Sequence, residues 1–401
     1  MDRLAPRTDY VIVLLVWMAG LGAAAQFGKI AISLTAFRDV YDVGEVALGF
    51  LISCVGAVGL TLGVLGGILI TRVGIRRAFV TGLILAAVLS ALQALLPPYP
   101  LMIVLRVLEG ATHLAIVIAG PILMARHSSD AARPAVMTLW SSFFGLSFML
   151  IALLAPPLLR AGGLPLLLLA HSAYMLTLAL ALWRYLPAPI APHESALQDV
   201  PLTLIGILRL HLSIYRSPVT NAAALGFVWY TATYISVLTY LPVFVAESQR
   251  SGLAASLPLA SILTSLTLGI LLLRYVSPVR AVQIGYVLTA LAALPLLFFF
   301  GNDAAFIIAC LLLMGATGFV PGASFATLAA LNISDEGRAH ATGALAQMGN
   351  VGTTCGPPIL AAIILAAGVS GVVIFVLLLS LCGVAVHEVL SRRRARGASL
   401  I

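Results

Sequence analysis

Residues 100–125 read PLMIVLRVLEGATHLAIVIAGPILMA, twenty-six positions that are apolar except for Arg106, Glu109, Thr112 and His113. A stretch of about 20 apolar residues is long enough to cross a bilayer as a helix. Part of this stretch returns 205 residues later: Gly110-Ala111-Thr112 reappears as Gly315-Ala316-Thr317, and Ser129-Asp130 with Arg133 as Ser334-Asp335 with Arg338. Two further matches run in the same direction. Leu60-Thr61-Leu62-Gly63 returns as Leu266-Thr267-Leu268-Gly269 at a displacement of 206, and Pro156-Pro157 as Pro357-Pro358 at 201. Four matches in register, in corresponding spans, predict a chain built from two parallel repeats. That arrangement is expected of an alternating-access carrier with its site between the halves.

Composition agrees with a membrane location. Of 401 residues 61% are hydrophobic and only 9% charged, whereas a soluble domain carries roughly 25% charged residues. The net charge of +8 sits in short gaps between apolar runs, which is a topology signal rather than a nucleic-acid face. A soluble enzyme and a nucleic-acid-binding module are both excluded. Twelve segments meet the length criterion: 11–37, 46–70, 78–97, 100–125, 135–159, 163–186, 219–245, 254–276, 280–300, 304–331, 340–367 and 369–390. They are continuously apolar, without the ten-residue alternation of a barrel, so an all-α membrane protein with twelve transmembrane helices in two pseudo-symmetric six-helix bundles is predicted. The first segment is too long for a signal-peptide core and is read as a retained span. Cys54, Cys310, Cys355 and Cys382 lie in apolar runs without metal or redox spacing, and are read as packing residues.

With the N-terminus inside, seventeen of the twenty-two Lys and Arg residues fall in cytoplasmic segments, including Arg72, Arg76, Arg77 and the tail residues Arg392, Arg393, Arg394 and Arg396. Only Arg38, Arg160 and Arg250 fall outside. The asymmetry predicts cytoplasmic termini. The longest hydrophilic break, Pro187 to Ser217, divides the chain into an N-terminal bundle (1–187), a central cytoplasmic loop (188–217) and a C-terminal bundle with a basic tail (218–401). Within that loop, Leu202 to Tyr215 mixes apolar residues with Arg209 and His211, as a helix lying at the interface would.

The stretch Gly67-Ile68-Leu69-Ile70-Thr71-Arg72-Val73-Gly74-Ile75-Arg76-Arg77 resembles the signature loop of the major facilitator superfamily, with Thr71 where an acid is usual. Arg106 followed by Glu109-Gly110 is similar to the family's Arg-x-x-x-Gly motif. Gly145 with Ala155-Pro156, and Gly352 with Gly356-Pro357, resemble its glycine–proline kink. The resemblance implies a secondary transporter whose spans one, four, seven and ten line a central cavity. It also implies structural roles for Gly67, Arg72, Gly74, Arg76, Gly110, Gly356 and Pro357.

A charge within the bilayer is costly unless it faces a cavity or a partner, so each one is a functional hypothesis. Lys29, the one lysine in the chain, stands in span one. Arg106, Glu109 and His113 follow i, i+3, i+7 on one face of span four. Two readings stand side by side. In the first, Lys29 and Arg106 are counter-charges for an anionic solute, and Glu109 with His113 carries a coupling proton. In the second, Glu109 neutralises Lys29 or Arg106 as a buried ion pair, and His113 is a packing residue. Either way two cations face one acid, which favours an anion. Gln26 in span one, Trp229, Tyr230 and Tyr234 in span seven, and Gln347 and Asn350 in span eleven complete a candidate set for an amphipathic organic solute. His171 and Glu388 look isolated and are read as packing or interface residues.

No nucleotide-binding loop, metal-ligand cluster or nucleophile–base spacing points to an enzyme, and no cofactor is expected. The function expected is secondary active transport of a small organic anion, linked to protons, across a bacterial cytoplasmic membrane by a monomer. Two alternatives remain open: an exporter of hydrophobic or cationic drugs, and a transporter-like sensor that moves nothing. Lys29 argues against the former; short loops leave little surface for the latter.

Overall fold

A chain in hydrocarbon must satisfy its backbone internally, so each apolar run is expected to close on itself as a helix. The computed structural model describes residues 7–43, 45–187 and 204–398, and every regular element among the described residues is helical. Pro189, Pro192, His193, Glu194 and Asp199 of the central loop lie outside the described residues. The helices gather into two units, Met1–Val136 with Phe143–Ile207, and Met137–Ser142 with Leu208–Ile401.

The first unit contains α1 (Tyr10–Ile32), α2 (Leu34–Val40), α3 (Glu45–Val73), α4 (Ile75–Gln93), α5 (Tyr99–Arg126), the start of α6 (Arg133–Ser141), whose residues from Met137 on group with the second unit, and α7 (Phe143–Tyr185). Asp9 caps α1 by accepting from the Ile12 amide at 3.0 Å, and its own amide donates to the His127 carbonyl at the end of α5. Gly74 joins α3 to α4 at φ 94°, a left-handed position that a Cβ would strain. Two residues on, Arg76 donates to the carbonyls of Trp183 and Leu186, tying that turn to the end of α7. The long α7 is broken at Gly162–Gly163, where Gly163 turns to φ 65°, and the break separates the fifth and sixth predicted spans.

The second unit contains α8 (Leu204–Arg216) from Leu208 on, α9 (Ala222–Tyr240), α10 (Glu247–Thr264), α11 (Ile270–Leu272), α12 (Pro278–Ala293), α13 (Pro295–Phe299), α14 (Asp303–Thr317), α15 (Phe319–Leu331) and α16 (Asp335–Ala398). A π-helical turn over Ser265–Gly269 links α10 to α11, and α16 breaks at Gly368 with φ 54°. Nine helical segments among the described residues are long and apolar enough to cross a membrane. Both halves of α7 fall within one of them. With α3 and the part of α16 before Gly368 added, the helices are consistent with twelve spans in an all-helical membrane fold.

The repeat extends to hydrogen bonds. Ser129 Oγ accepts from the amide three residues on, Ala132, and Ser334 Oγ does the same from Gly337. Asp130 pairs with Arg133 at 2.7 Å, and Asp335 with Arg338 at 3.4 Å. Inside the bundles, Thr112 donates to the Glu109 carbonyl and Thr317 to the Met314 carbonyl, both at 2.7 Å. The two Asp–Arg pairs lie at the surface and contribute about 0–1 kcal/mol each, so their value lies in recording a shared local geometry. The two units differ in the side chains they carry inward. Where the first places Glu109, the second places Met314.

The helix α8 presents Ile205, Leu208 and Leu212 outward at i, i+3, i+7, and buries Ile214 on its other side. This exposed apolar stripe lies beside Arg209 and Arg216, and we propose that α8 rests in a membrane interface. Tyr215 anchors it, donating to Gln347 Oε1 of α16 at 2.8 Å while its carbonyl accepts from Asn221. Burial pushes the Tyr215 phenol above its ordinary range, which keeps it a donor.

Candidate functional site: a buried charge cluster in the first unit

Helix α1 is rich in Gly and Ala at 19–25, which lets neighbouring helices approach closely and leaves little room for solvent. At its far end Lys29 projects into the bundle and is fully buried, as are Arg106 and Glu109 on α5. Lys29 Nζ lies 2.7 Å from Glu109 Oε1. The other carboxylate oxygen, Oε2, accepts from Arg106 Nη1 and, at 2.6 Å, from Gln93 Nε2 of α4. Arg106 Nε continues to the Leu51 carbonyl of α3 at 2.7 Å. Lys29 also donates to Ser90 Oγ of α4 at 2.9 Å, and its Nζ lies 3.3 Å from Nδ1 of His171 on α7. One carboxylate therefore ties α1, α4 and α5 together, and through Arg106 and Lys29 the network reaches α3 and α7.

A buried ion pair is sustained only where further hydrogen bonds satisfy the remaining lone pairs and protons. This cluster meets that condition for Glu109 and Lys29. Three polar atoms beside them have no protein partner: Arg106 Nη2, Gln93 Oε1 and Gln26 Oε1. Gln26 uses its other end, donating to Thr112 Oγ1 at 3.0 Å. His113 Nδ1 faces the Ala23 carbonyl at 3.0 Å and so carries the hydrogen there, while its ring meets Phe27 edge-on at 5.0 Å.

The sequence reads His171 as an isolated packing or interface residue; the structure places it against Lys29 and Ser90 instead, with Nε2 3.0 Å from the Gly22 carbonyl. Ser90 and Gln93 were not singled out at all. The available signal was weak: polar residues in the apolar run of α4, three apart on one face, next to a helix with three titratable groups. Glu388 is not isolated either. It pairs with Arg392 at 2.7 Å and accepts from Gln283.

In the second unit, Phe227, Tyr230 and Tyr234 form a row on α9, with centroids 5.2 and 5.5 Å apart, and Phe325 of α15 packs on Phe227. Trp229 Nε1 and Thr233 Oγ1 have no protein partner. Gln347 accepts from Tyr215, and Asn350 Nδ2 turns back to the Ala346 carbonyl at 2.7 Å. Gly356 lies where α16 crosses α9: a Cβ there would come within 2.7 Å of the Ala232 Cα. Gly110 plays the same part between α5 and α3, with the Val55 carbonyl 2.8 Å from where its Cβ would be. Gly67 is buried and Arg72 partly buried in the last turns of α3, and Pro357 lies within α16.

An all-helical membrane protein of two repeated units, with ion-paired charges buried in one of them, is a narrow class. The chain belongs to the major facilitator superfamily, whose model matches residues 12–357. Its members are transporters rather than enzymes. Solved structures share the fold. The E. coli fucose:proton symporter FucP is 17% identical, with 97% of this chain and 99% of that one covered at a TM-score of 0.73. The human organic anion transporter MFSD10 is 16% identical, with coverages of 94% and 98% and a TM-score of 0.75. The proton:xylose symporter XylE is 14% identical, with coverages of 96% and 95% and a TM-score of 0.75. No curated protein matches the chain in sequence.

Proposed function

We propose that this transporter moves a small organic anion in exchange for, or together with, protons, using the Lys29–Glu109–Arg106 cluster to couple the two. The observation that carries this reading is a charge count. Two cations share one carboxylate in a fully buried setting, and the neighbouring polar groups are uncharged amides, a hydroxyl and imidazoles. An uncompensated charge in such a medium costs several kcal/mol. Either a proton leaving Lys29 or an anion arriving near Arg106 balances it, so the two events are linked. Arg106 Nη2, which lacks a partner, is the group best placed to meet an anionic oxygen. Taken by itself, the aromatic row on α9 of the second unit is of the kind that contacts the apolar part of an organic solute. Among the structural neighbours, two are described as proton symporters of sugars and one as an organic anion transporter, which is compatible with proton linkage and with an anionic solute. The arginine distribution supports cytoplasmic termini, and the short loops and arginine-rich composition support a bacterial inner membrane.

Thermal stability with two probes of opposite charge tests the reading. Benzenesulfonate should raise the unfolding temperature, since a ligand at 100 times its Kd adds about 2.7 kcal/mol to stability. Stabilisation by tetraphenylphosphonium and not by benzenesulfonate would overturn the anion reading in favour of a cation exporter. If reconstituted vesicles move neither probe, nor protons, the transport reading fails with it.

A further inference from the structure

The hydrogen bonds around Lys29 can be counted one by one, and the count gives His171 a role. Ser90 Oγ has one hydrogen, and it is directed to the Leu168 carbonyl at 2.8 Å. Ser90 can therefore only accept from its other neighbours. Lys29 has three hydrogens and three neighbours to receive them: Glu109 Oε1, Ser90 Oγ and His171 Nδ1. His171 Nε2 faces a carbonyl, Gly22 O, so the hydrogen of the neutral ring belongs on Nε2 and Nδ1 is left with a lone pair. In this arrangement each of these hydrogens has an acceptor.

A second arrangement is also complete. If the Lys29 Nζ–H bond facing His171 breaks and an Nδ1–H bond forms, the charge passes from the ammonium to the imidazolium. The new Nδ1–H finds Ser90 Oγ 3.0 Å away, an oxygen already restricted to accepting. Glu109, having lost the ammonium, keeps Arg106 and Gln93. The charged groups facing His171 are Lys29 from α1 and Glu109 and Arg106 from α5; Ser90 and Gln93 from α4 are neutral. Nothing else needs to move.

We propose that His171 is the alternative seat of the Lys29 proton, so that Lys29 is a hub between two proton acceptors, Glu109 on one side and His171 on the other. This deepens the proton-linked reading above and rests on it. It also explains why an imidazole is held by a backbone carbonyl deep within a bundle: Gly22 O sets the tautomer that turns the lone pair toward Lys29.

The test uses full-length protein in lipid nanodiscs with 15N-labelled histidine. Seven histidines are present, and the His171 signals are those missing in His171→Gln, whose amide can still donate to Gly22 O but cannot take a proton. At neutral pH the proposal expects hydrogen on Nε2 and a hydrogen-bonded, unprotonated Nδ1. In Lys29→Met the pH at which Nδ1 gains its proton should move by about one unit or more, the scale of a direct charge partner. A tautomer with hydrogen on Nδ1, or a His171 titration unchanged in Lys29→Met, overturns the proposal. A second arm separates its failure from that of the transport reading. Wild-type vesicles loaded with pyranine are given a benzenesulfonate gradient; the sulfonate stays ionised and carries no proton itself. No proton movement in wild type counts against the transport reading, and the inference falls with it. Movement in wild type that drops on the order of 100-fold in His171→Gln, the low end for losing a positioned proton acceptor, supports the inference. Equal movement in a folded His171→Gln overturns the inference alone.

Discussion

Glu109→Gln and Lys29→Met look like equivalent ways of breaking one ion pair, yet the geometry predicts very different costs. The wild-type cluster holds Lys29, Arg106 and Glu109, a net charge of one. Replacing Glu109 leaves two cations with no carboxylate between them, fully buried. Removing one partner from a buried pair costs about 3–5 kcal/mol. Replacing Lys29 instead leaves Glu109 paired with Arg106 and still accepting from Gln93, and the net charge falls to zero. What is lost there are hydrogen bonds to Ser90 and His171, about 1 kcal/mol each, and the charge-assisted bond to Glu109 Oε1, about 1.5–3 kcal/mol, partly offset by removing the excess charge. Lys29→Met should therefore cost less than Glu109→Gln, which leaves both cations without their carboxylate. The double variant returns to one net cation and should be more stable than the sum of the single effects, by about 1–3 kcal/mol. Unfolding in mixed micelles of increasing SDS content, followed by far-UV circular dichroism, reads all four proteins. Equal destabilisation by the two single changes would refute the idea that Arg106 shares Glu109, and a neutral Glu109→Gln would refute the cluster altogether.

Other expectations follow from single contacts. Glu109→Gln should abolish proton-driven accumulation more than solute exchange, read by comparing benzenesulfonate uptake under a pH gradient with counterflow; undiminished accumulation would remove Glu109 from the proton path. Gly356→Val, facing the Ala232 backbone, should destabilise by about 1–3 kcal/mol, whereas Gly252→Ala, with nothing within 4 Å of its Cβ, should not; micelle unfolding compares them. In α8, Leu212→Trp fluorescence should be quenched by lipids brominated on their acyl chains, and Tyr215→Phe, which removes the donor to Gln347, should speed amide exchange in that helix. Absence of quenching would take α8 out of the interface.

What the amino-acid sequence determined alone is what depends on one helix at a time. Long apolar runs dictate spans because hydrocarbon leaves the backbone no outside partner, so the all-helical membrane fold could be read directly from composition and length. The repeat was legible because short motifs such as Ser129-Asp130 with Arg133 form their caps and ion pairs locally, within four residues. The set Arg106, Glu109 and His113 was legible because i, i+3, i+7 spacing places them on one face of α5. Tertiary structure decided everything between helices. Lys29 and Glu109 are 80 residues apart, and their contact depends on how α1 and α5 rotate against each other, which Gly and Ala packing sets. His171 looks isolated in sequence because no charged residue lies within ten positions of it; its partners come from α1 and α4, 142 and 81 residues away. Whether Glu109 belonged to Lys29 or to Arg106 could not be read from spacing. The fold answered that it belongs to both, because a carboxylate has two oxygens and the packing of α1 and α4 around α5 gives each one its own partners.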